Sequence, residues 1–309
     1  MDAIDLAGAI TLTLVGTFAF VDAVEAFGQR LGLTRHATGA LLAAALTALP
    51  ETFIALVASL PGGGVRGEVG VASVLSAPSI TLLLGFPVLA ASGAAKVSLR
   101  QIVPLYASFA VGASLLPVTS FLSGWAVRAA GLAYVVAYVP VAKRIVTEEG
   151  EPMGGRELSV AERLLGVRSF PVAFAQALAG VLSMTLGAER FILTVSAAVD
   201  PFAVTMLLSP LATCMEEVIV AFYWALKGKG DAAASLLAGE NAIQATFVFG
   251  AGLLFTGMAP SLRGLSVIPV YVAGAAALIA CISTVRVRLS GAVAALYVVY
   301  LLIWSEGIF

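Results

Sequence analysis

Thr47, Pro50 and Glu51 stand close together inside an apolar run, TALPETFIAL. A proline within a helix removes one backbone hydrogen bond and crowds the carbonyl four residues back. In lipid a freed carbonyl needs another partner, and a cation is one. Glu51 adds negative charge, and Thr47 adds a hydroxyl one turn earlier on the same face. Hydroxyl, loosened carbonyls and carboxylate are oxygen ligands suited to a hard cation such as Ca²⁺. The competing reading is a kink beside a carboxyl kept neutral by burial. The cost of placing an acid at membrane depth favours the functional reading.

The same pattern recurs. TCMEEVIVAFYWAL (213–226) aligns without gaps on TALPETFIALVASL (47–60), with Thr213 on Thr47 and Glu217 on Glu51. Glu216 takes the place of the proline. Successive helical residues point about 100° apart, so Glu216 and Glu217 do not face one site equally. Glu216 is read as a second ligand, a proton carrier or a partner for a nearby base. Two further runs are GVASVLSAPSITLLLG (70–85) and SLLAGENAIQATFVFG (235–250). Ser76 and Ser79 lie three apart in the first; Asn241 and Gln244 fall at the corresponding places in the second, beside Glu240. The serines serve close helix packing equally well, whereas Glu240, Asn241 and Gln244 fit packing poorly. Asp22, Glu25 and Glu189 lie toward the ends of apolar runs and read as headgroup-level acids. Trp125, Trp224 and Trp304 read as interfacial anchors. His36, beside Arg35, reads as a solvated loop residue.

The elements that carry these residues must be membrane helices. Of 309 residues 60% are hydrophobic and only 11% charged, less than half the charge of an ordinary soluble domain. Runs of about 20 apolar residues suffice to span a bilayer. Ten candidate spans follow, at roughly 4–28, 36–60, 68–92, 101–121, 124–144, 169–195, 201–226, 232–257, 265–284 and 287–305. The long polar stretch 143–168 divides them five and five. Of the 17 Lys and Arg, 13 fall in the connections after spans 1, 3, 5, 7 and 9. Those connections are therefore expected in the cytoplasm and both termini outside, in the cytoplasmic membrane.

Five spans per half reverse the second half's sense of entry, the plan of an inverted repeat. The expected fold is an all-α membrane protein of ten transmembrane helices. Its parts are a first five-helix repeat (1–144), a cytoplasmic connecting loop (145–168) and a second five-helix repeat (169–309). The opening MDAID has no basic segment and no prompt cleavage site, so the first run is read as a retained span. Cys214 and Cys281 lie 67 positions apart in apolar runs and read as buried thiols rather than a metal or disulfide framework.

Other function classes fit less well. No concentrated basic patch suggests nucleic acid. A single histidine excludes any mechanism needing two. A membrane-embedded enzyme would need a nucleophile with its base, or an Arg or His phosphate clamp, at membrane depth. The spans hold almost no Arg, and neither HExxH nor GxSxG occurs. A passive channel would conduct without a counter-ion, and a structural protein would tolerate Glu51→Gln and Glu217→Gln.

These residues resemble the calcium/cation antiporter superfamily, which includes sodium/calcium exchangers. Its two inverted repeats each carry a Gly-Thr-Ser-x-Pro-Glu segment and a later Gly-Asn-x-x-Gly-Ser-Asn-x-x-Asn segment. LTALPE (46–51) keeps Thr47, Pro50 and Glu51. ATCMEE (212–217) keeps Thr213 and Glu217, and AGENAIQ (238–244) keeps Gly239 and Asn241. GAERF (187–191) resembles the opening of the family's sixth helix. The sequence departs from the pattern at Ser76 and Ser79, which replace both asparagines of the first repeat. It departs again at Glu216 for proline, Glu240 for serine and Gln244 for Asn or Asp. The resemblance implies the ten-helix fold, alternating access, and Glu51 and Glu217 as central ligands. The expected activity is secondary exchange of a divalent cation, foremost Ca²⁺, for Na⁺ or H⁺, with spans 1 and 6 sliding against the rest. Thr47, Thr213, Glu240, Asn241, Gln244, Ser79, Ser76 and Glu216 complete the candidate ligand set. H⁺-coupled exchange of another cation is the alternative. No covalent cofactor is expected; the partners are lipid and the transported ions. Oligomeric state is left open, and a monomer suffices.

Overall fold

The computed structural model describes residues 3–48, 52, 65–154, 158–195 and 200–305. Among these residues the chain is helical, and an isolated antiparallel bridge joins Thr34 to Pro152. The helical stretches are α1 (Ala3–Arg30), α2 (35–47), α3 (65–91), α4 (Leu99–Phe121), α5 (Trp125–Thr147), α6 (Phe170–Val195), α7 (201–226), α8 (230–256), α9 (Leu262–Ser283) and α10 (Val287–Ser305). Seven of them, α3 to α7, α9 and α10, contain stretches long and apolar enough to cross a membrane. Apolar sequence folds this way because an α-helix satisfies its own backbone where no water can.

Several helices are interrupted where the sequence is loosened. α3 breaks at Ala77, just before Pro78, and α7 breaks at Cys214. Wide π-helical turns occupy Thr38–Ala43 of α2, Thr81–Gly85 of α3 and Gln244–Val248 of α8. Such turns are rare and concentrate at functional sites.

The helices pair in a consistent way. α1 lies along α6 and α4 along α9; α8 contacts α2 and α5, and α3 contacts α7 and α10. Small residues permit the closest approaches. A Cβ added at Gly16 would meet the Gly180 carbonyl oxygen at 2.7 Å, and one at Gly180 would meet that of Gly16 at 2.8 Å. Likewise a Cβ at Gly39 would strike the Ala232 carbonyl at 2.5 Å, and one at Gly239 the Ala40 backbone at 2.4 Å. These contacts leave α8 enclosed: from Gly230 to Ile243 every residue but Asp231 is buried.

The polar connection is ordered around a short helix, Val160–Leu165. Ser159 and Glu162 cap each other reciprocally at its start. Glu162 also accepts hydrogen bonds from Arg30 and from the Ser169 N–H, tying the end of α1 to the start of α6. Asp22 of α1 accepts from Arg163, from the Val160 N–H and from Gln176 of α6. Burial alone would raise the Glu162 carboxyl, but the Arg30 hydrogen bond, the Ser159 and Ser169 N–H groups and the Arg30 charge outweigh it. They hold it at about 2.

Two expectations are corrected by the packing. His36 is not a solvated loop residue: it is 3% exposed, with Nδ1 2.9 Å from the Ser235 hydroxyl. The close α2–α8 contact at Gly39 covers this first turn of α2. Of the three tryptophans, Trp125 is 85% exposed. Trp224 and Trp304 are buried and are not anchors. Trp304 packs on Phe202, and both rings lie beneath the Arg263 guanidinium. Cys214 is buried and Cys281 half-buried, and neither forms a disulfide among the described residues.

Candidate functional site: a buried polar cluster between the halves

The site is built on helix ends and breaks. α2 opens on Thr34, whose side chain accepts from the Ala37 N–H, and its described helix ends at Thr47. The first part of α7 opens on Asp200, which accepts from Ala203, and ends at Thr213. After Cys214 a second helix, Met215–Leu226, begins with Glu216 and Glu217 in its first turn. The last carbonyls of a helix lack intrahelical donors and draw cations, while the first turn of the next favours carboxylates. One break therefore offers carbonyl oxygens and two acids together.

Thr47 reaches across the molecule. Its hydroxyl lies 3.1 Å from the Ala43 carbonyl, 3.3 Å from that of Ala44 and 3.2 Å from Glu240 Oε2 on α8. Gln244 Nε2 donates to Glu240 Oε1 at 2.8 Å. Gln244 thereby directs its amide nitrogen at Glu240, and its carbonyl oxygen is buried without a hydrogen-bond partner in the structure. An oxygen left in that condition is costly and suits a cation. Asn241 donates to the Leu237 carbonyl at 2.7 Å and accepts from Thr81 of α3 at 3.2 Å. Thr47, Thr81, Glu240, Asn241 and Gln244 are all 0% exposed, as is Glu217; Glu216 is 1% exposed.

The structure thus joins Thr47, Glu240 and Gln244 by hydrogen bonds; Asn241, next along α8, bonds separately to Thr81. Glu216 and Glu217 lie on the helix that packs against α8, α2 and the π turn of α3. Ser76 turns back to the Ser73 carbonyl of its own helix, 2.9 Å away. Ser79 is buried in the turn after the α3 break. Glu51 and Pro50 lie outside the described residues, as do the side chains of Thr213 and Glu189. Among the described residues no three carboxylate, imidazole or thiol groups gather around one metal position. What gathers instead is a mixed set of carboxylate, amide and hydroxyl oxygens. Thr81 was missed in the sequence because at ~100° per residue it points away from Ser79. Its place at the start of a π turn has no signature in residue type. Asp22 and Glu25 lie in the last third of α1, and both side chains are largely shielded. Glu25 pairs with Lys229 at 3.1 Å.

Known proteins bear on this arrangement. The sequence pattern of the family described as sodium/calcium exchanger protein matches residues 3–142. No curated protein matches the chain in sequence. Solved structures of the sodium-calcium exchanger NCX_Mj share its fold. One soaked with Na⁺ and Ca²⁺ is 15% identical, with a TM-score of 0.72 over 98% of this chain and 99% of that one. One soaked with Na⁺ and Sr²⁺ is 17% identical, with a TM-score of 0.72 over 96% of each chain. One soaked without Na⁺ and Ca²⁺ is 16% identical, with a TM-score of 0.69 over 97% of this chain and 99% of that one.

Proposed function

We propose that the chain belongs to the calcium/cation antiporter superfamily, the sodium/calcium exchanger pattern matching its residues 3–142, and that it exchanges a divalent cation, Ca²⁺ foremost, for Na⁺ by alternating access. The observation that carries this reading is the buried link from Thr47 in the first half to Glu240 and Gln244 in the second. It sits beside the helix that brings Glu216 and Glu217. Acids enclosed in an apolar bundle need a counter-charge, and a bound cation supplies it. Glu51 and Glu217 are the central ligands. Thr47, Thr213, Glu240, Asn241, Gln244, Ser79, Ser76 and Glu216 complete the candidate oxygen shell. When Na⁺ uses the same oxygens, occupancy by the two ions is mutually exclusive, and exchange follows.

The two-repeat plan supports this reading. The N-caps Thr34 and Asp200 are 166 positions apart, and so are the helix ends Thr47 and Thr213. Glu51 and Glu217 share that spacing. The pairings α2–α8 and α7–α3 exchange with each other when the halves are swapped, as do α5–α8 and α10–α3; α1–α6 and α4–α9 map onto themselves. We therefore read ten membrane helices in two inverted repeats, 1–144 and 169–309, joined by a cytoplasmic loop, with both termini outside.

H⁺ is the second candidate counter-ion. It is favoured by Glu216 standing beside Glu217, with Glu240 buried on the helix packed against them, because each of these carboxylates can carry a proton. Reconstituted vesicles loaded with Ca²⁺ decide between the two. An imposed Na⁺ gradient should drive Ca²⁺ movement that a pH gradient of equal size does not. Movement driven by the pH gradient alone selects H⁺, and no gradient-driven Ca²⁺ movement at all rejects exchange of Ca²⁺.

A further inference from the structure

We infer that Thr81 is a positioning residue of the exchange site, acting through Asn241; the inference rests on the reading just proposed. A threonine within a helix ordinarily returns its hydroxyl proton to the carbonyl four residues back. Thr47, Thr185, Thr246, Thr256 and Thr284 all have a hydroxyl within hydrogen-bond distance of that carbonyl. Thr81 instead reaches Asn241 on α8, 3.2 Å away. The break at Ala77 and the π turn that opens on Thr81 displace it from regular helical register.

The direction of this bond follows from its neighbours. Asn241 Nδ2 lies 2.7 Å from the Leu237 carbonyl, which can only accept, so the amide nitrogen must face it. Oδ1 therefore faces Thr81, and the hydroxyl must donate. One lone pair of Oδ1 is then taken and the other remains for a cation. Both residues are 0% exposed. Thr81 thus holds the Asn241 oxygen at a fixed angle and ties the π turn of α3, from the first half, to α8, from the second. Without the hydroxyl the amide loses one of its two tethers.

The test is gradient-driven Ca²⁺ flux in vesicles carrying wild type, Thr81→Val, Thr81→Ser, Asn241→Ala and the Thr81→Val/Asn241→Ala pair. Thr81→Val should raise the KM for Ca²⁺ about fivefold to tenfold, the scale of one buried hydrogen bond, with little change in maximal rate. Thr81→Ser should restore the wild-type KM. In the Asn241→Ala background Thr81→Val should add nothing, because its partner is gone. Should Thr81→Val not fold, Thr81→Ala takes its place in the same comparison. A wild-type KM in the hydroxyl-free variant, no rescue by serine, or full additivity with Asn241→Ala overturns the positioning role. A wild-type protein that moves no cation overturns the exchange reading itself, and the inference with it.

Discussion

At the scale of single residues, the proposed site depends on oxygens that are buried in this structure. Removing the Thr47 hydroxyl as Thr47→Val leaves Glu240 Oε2 without one of its neighbours. Hydrogen bonds to charged groups contribute about 1.5–3 kcal/mol, so Ca²⁺ affinity should fall about tenfold or more, measured by isothermal titration of protein in detergent. Unchanged affinity would remove Thr47 from the site. Glu216, Glu217, Glu240, Asn241 and Gln244 stand out in the sequence because acids and amides are conspicuous in apolar runs, and Thr47 because Thr213 matches it in the second half. Thr81 and the Ser73–Ser209 contact at 2.9 Å do not, because hydroxyl residues in apolar runs usually bond their own helix. His36 was misjudged for a related reason. Its burial comes from Gly39 meeting Ala232, a contact between distant parts of the chain that local polarity does not reveal.

At the scale of elements, two features should govern stability. α1 and α6 touch through Gly16 and Gly180, where any Cβ meets backbone rather than a yielding side chain. Gly180→Val should therefore cost about 1–3 kcal/mol or more and lower the thermal unfolding temperature in detergent. An unshifted temperature would mean that the two helices do not pack this way. The other feature is Glu162. Its folded carboxyl titrates at about 2, below its ordinary value of 4.5. A depressed carboxylate stabilises the fold above its unfolded pKa and loses that contribution as pH falls through the folded one. The connection should thus loosen between pH of about 4.5 and about 2. Glu162→Ala should loosen it at neutral pH, seen as faster trypsin cleavage at Arg163 or Arg168. Cleavage at the wild-type rate would contradict the tie. The helices themselves were largely foreseen from apolar run length, since α4, α5, α7 and α10 lie within a few residues of their expected limits. The stop at Cys214 and the three π turns have no counterpart in the apolar pattern of the sequence.

At the scale of the molecule, the account rests on two halves that supply one ion with ligands from opposite sides. Gly39 and Gly239 bring α2 of one half against α8 of the other, which lets Thr47 approach Glu240. Sequence alone pointed to two matched halves through Thr47 and Glu51 against Thr213 and Glu217. It did not reveal which helices of one half lie on which of the other. Ca²⁺ binding to purified protein at equilibrium tests the account most directly, comparing wild type with Glu51→Gln and Glu217→Gln. One Ca²⁺ per chain, lost in either variant while the protein stays folded, is the predicted result. Binding that survives both substitutions, or two sites of which each variant removes one, would contradict a single site shared between the halves.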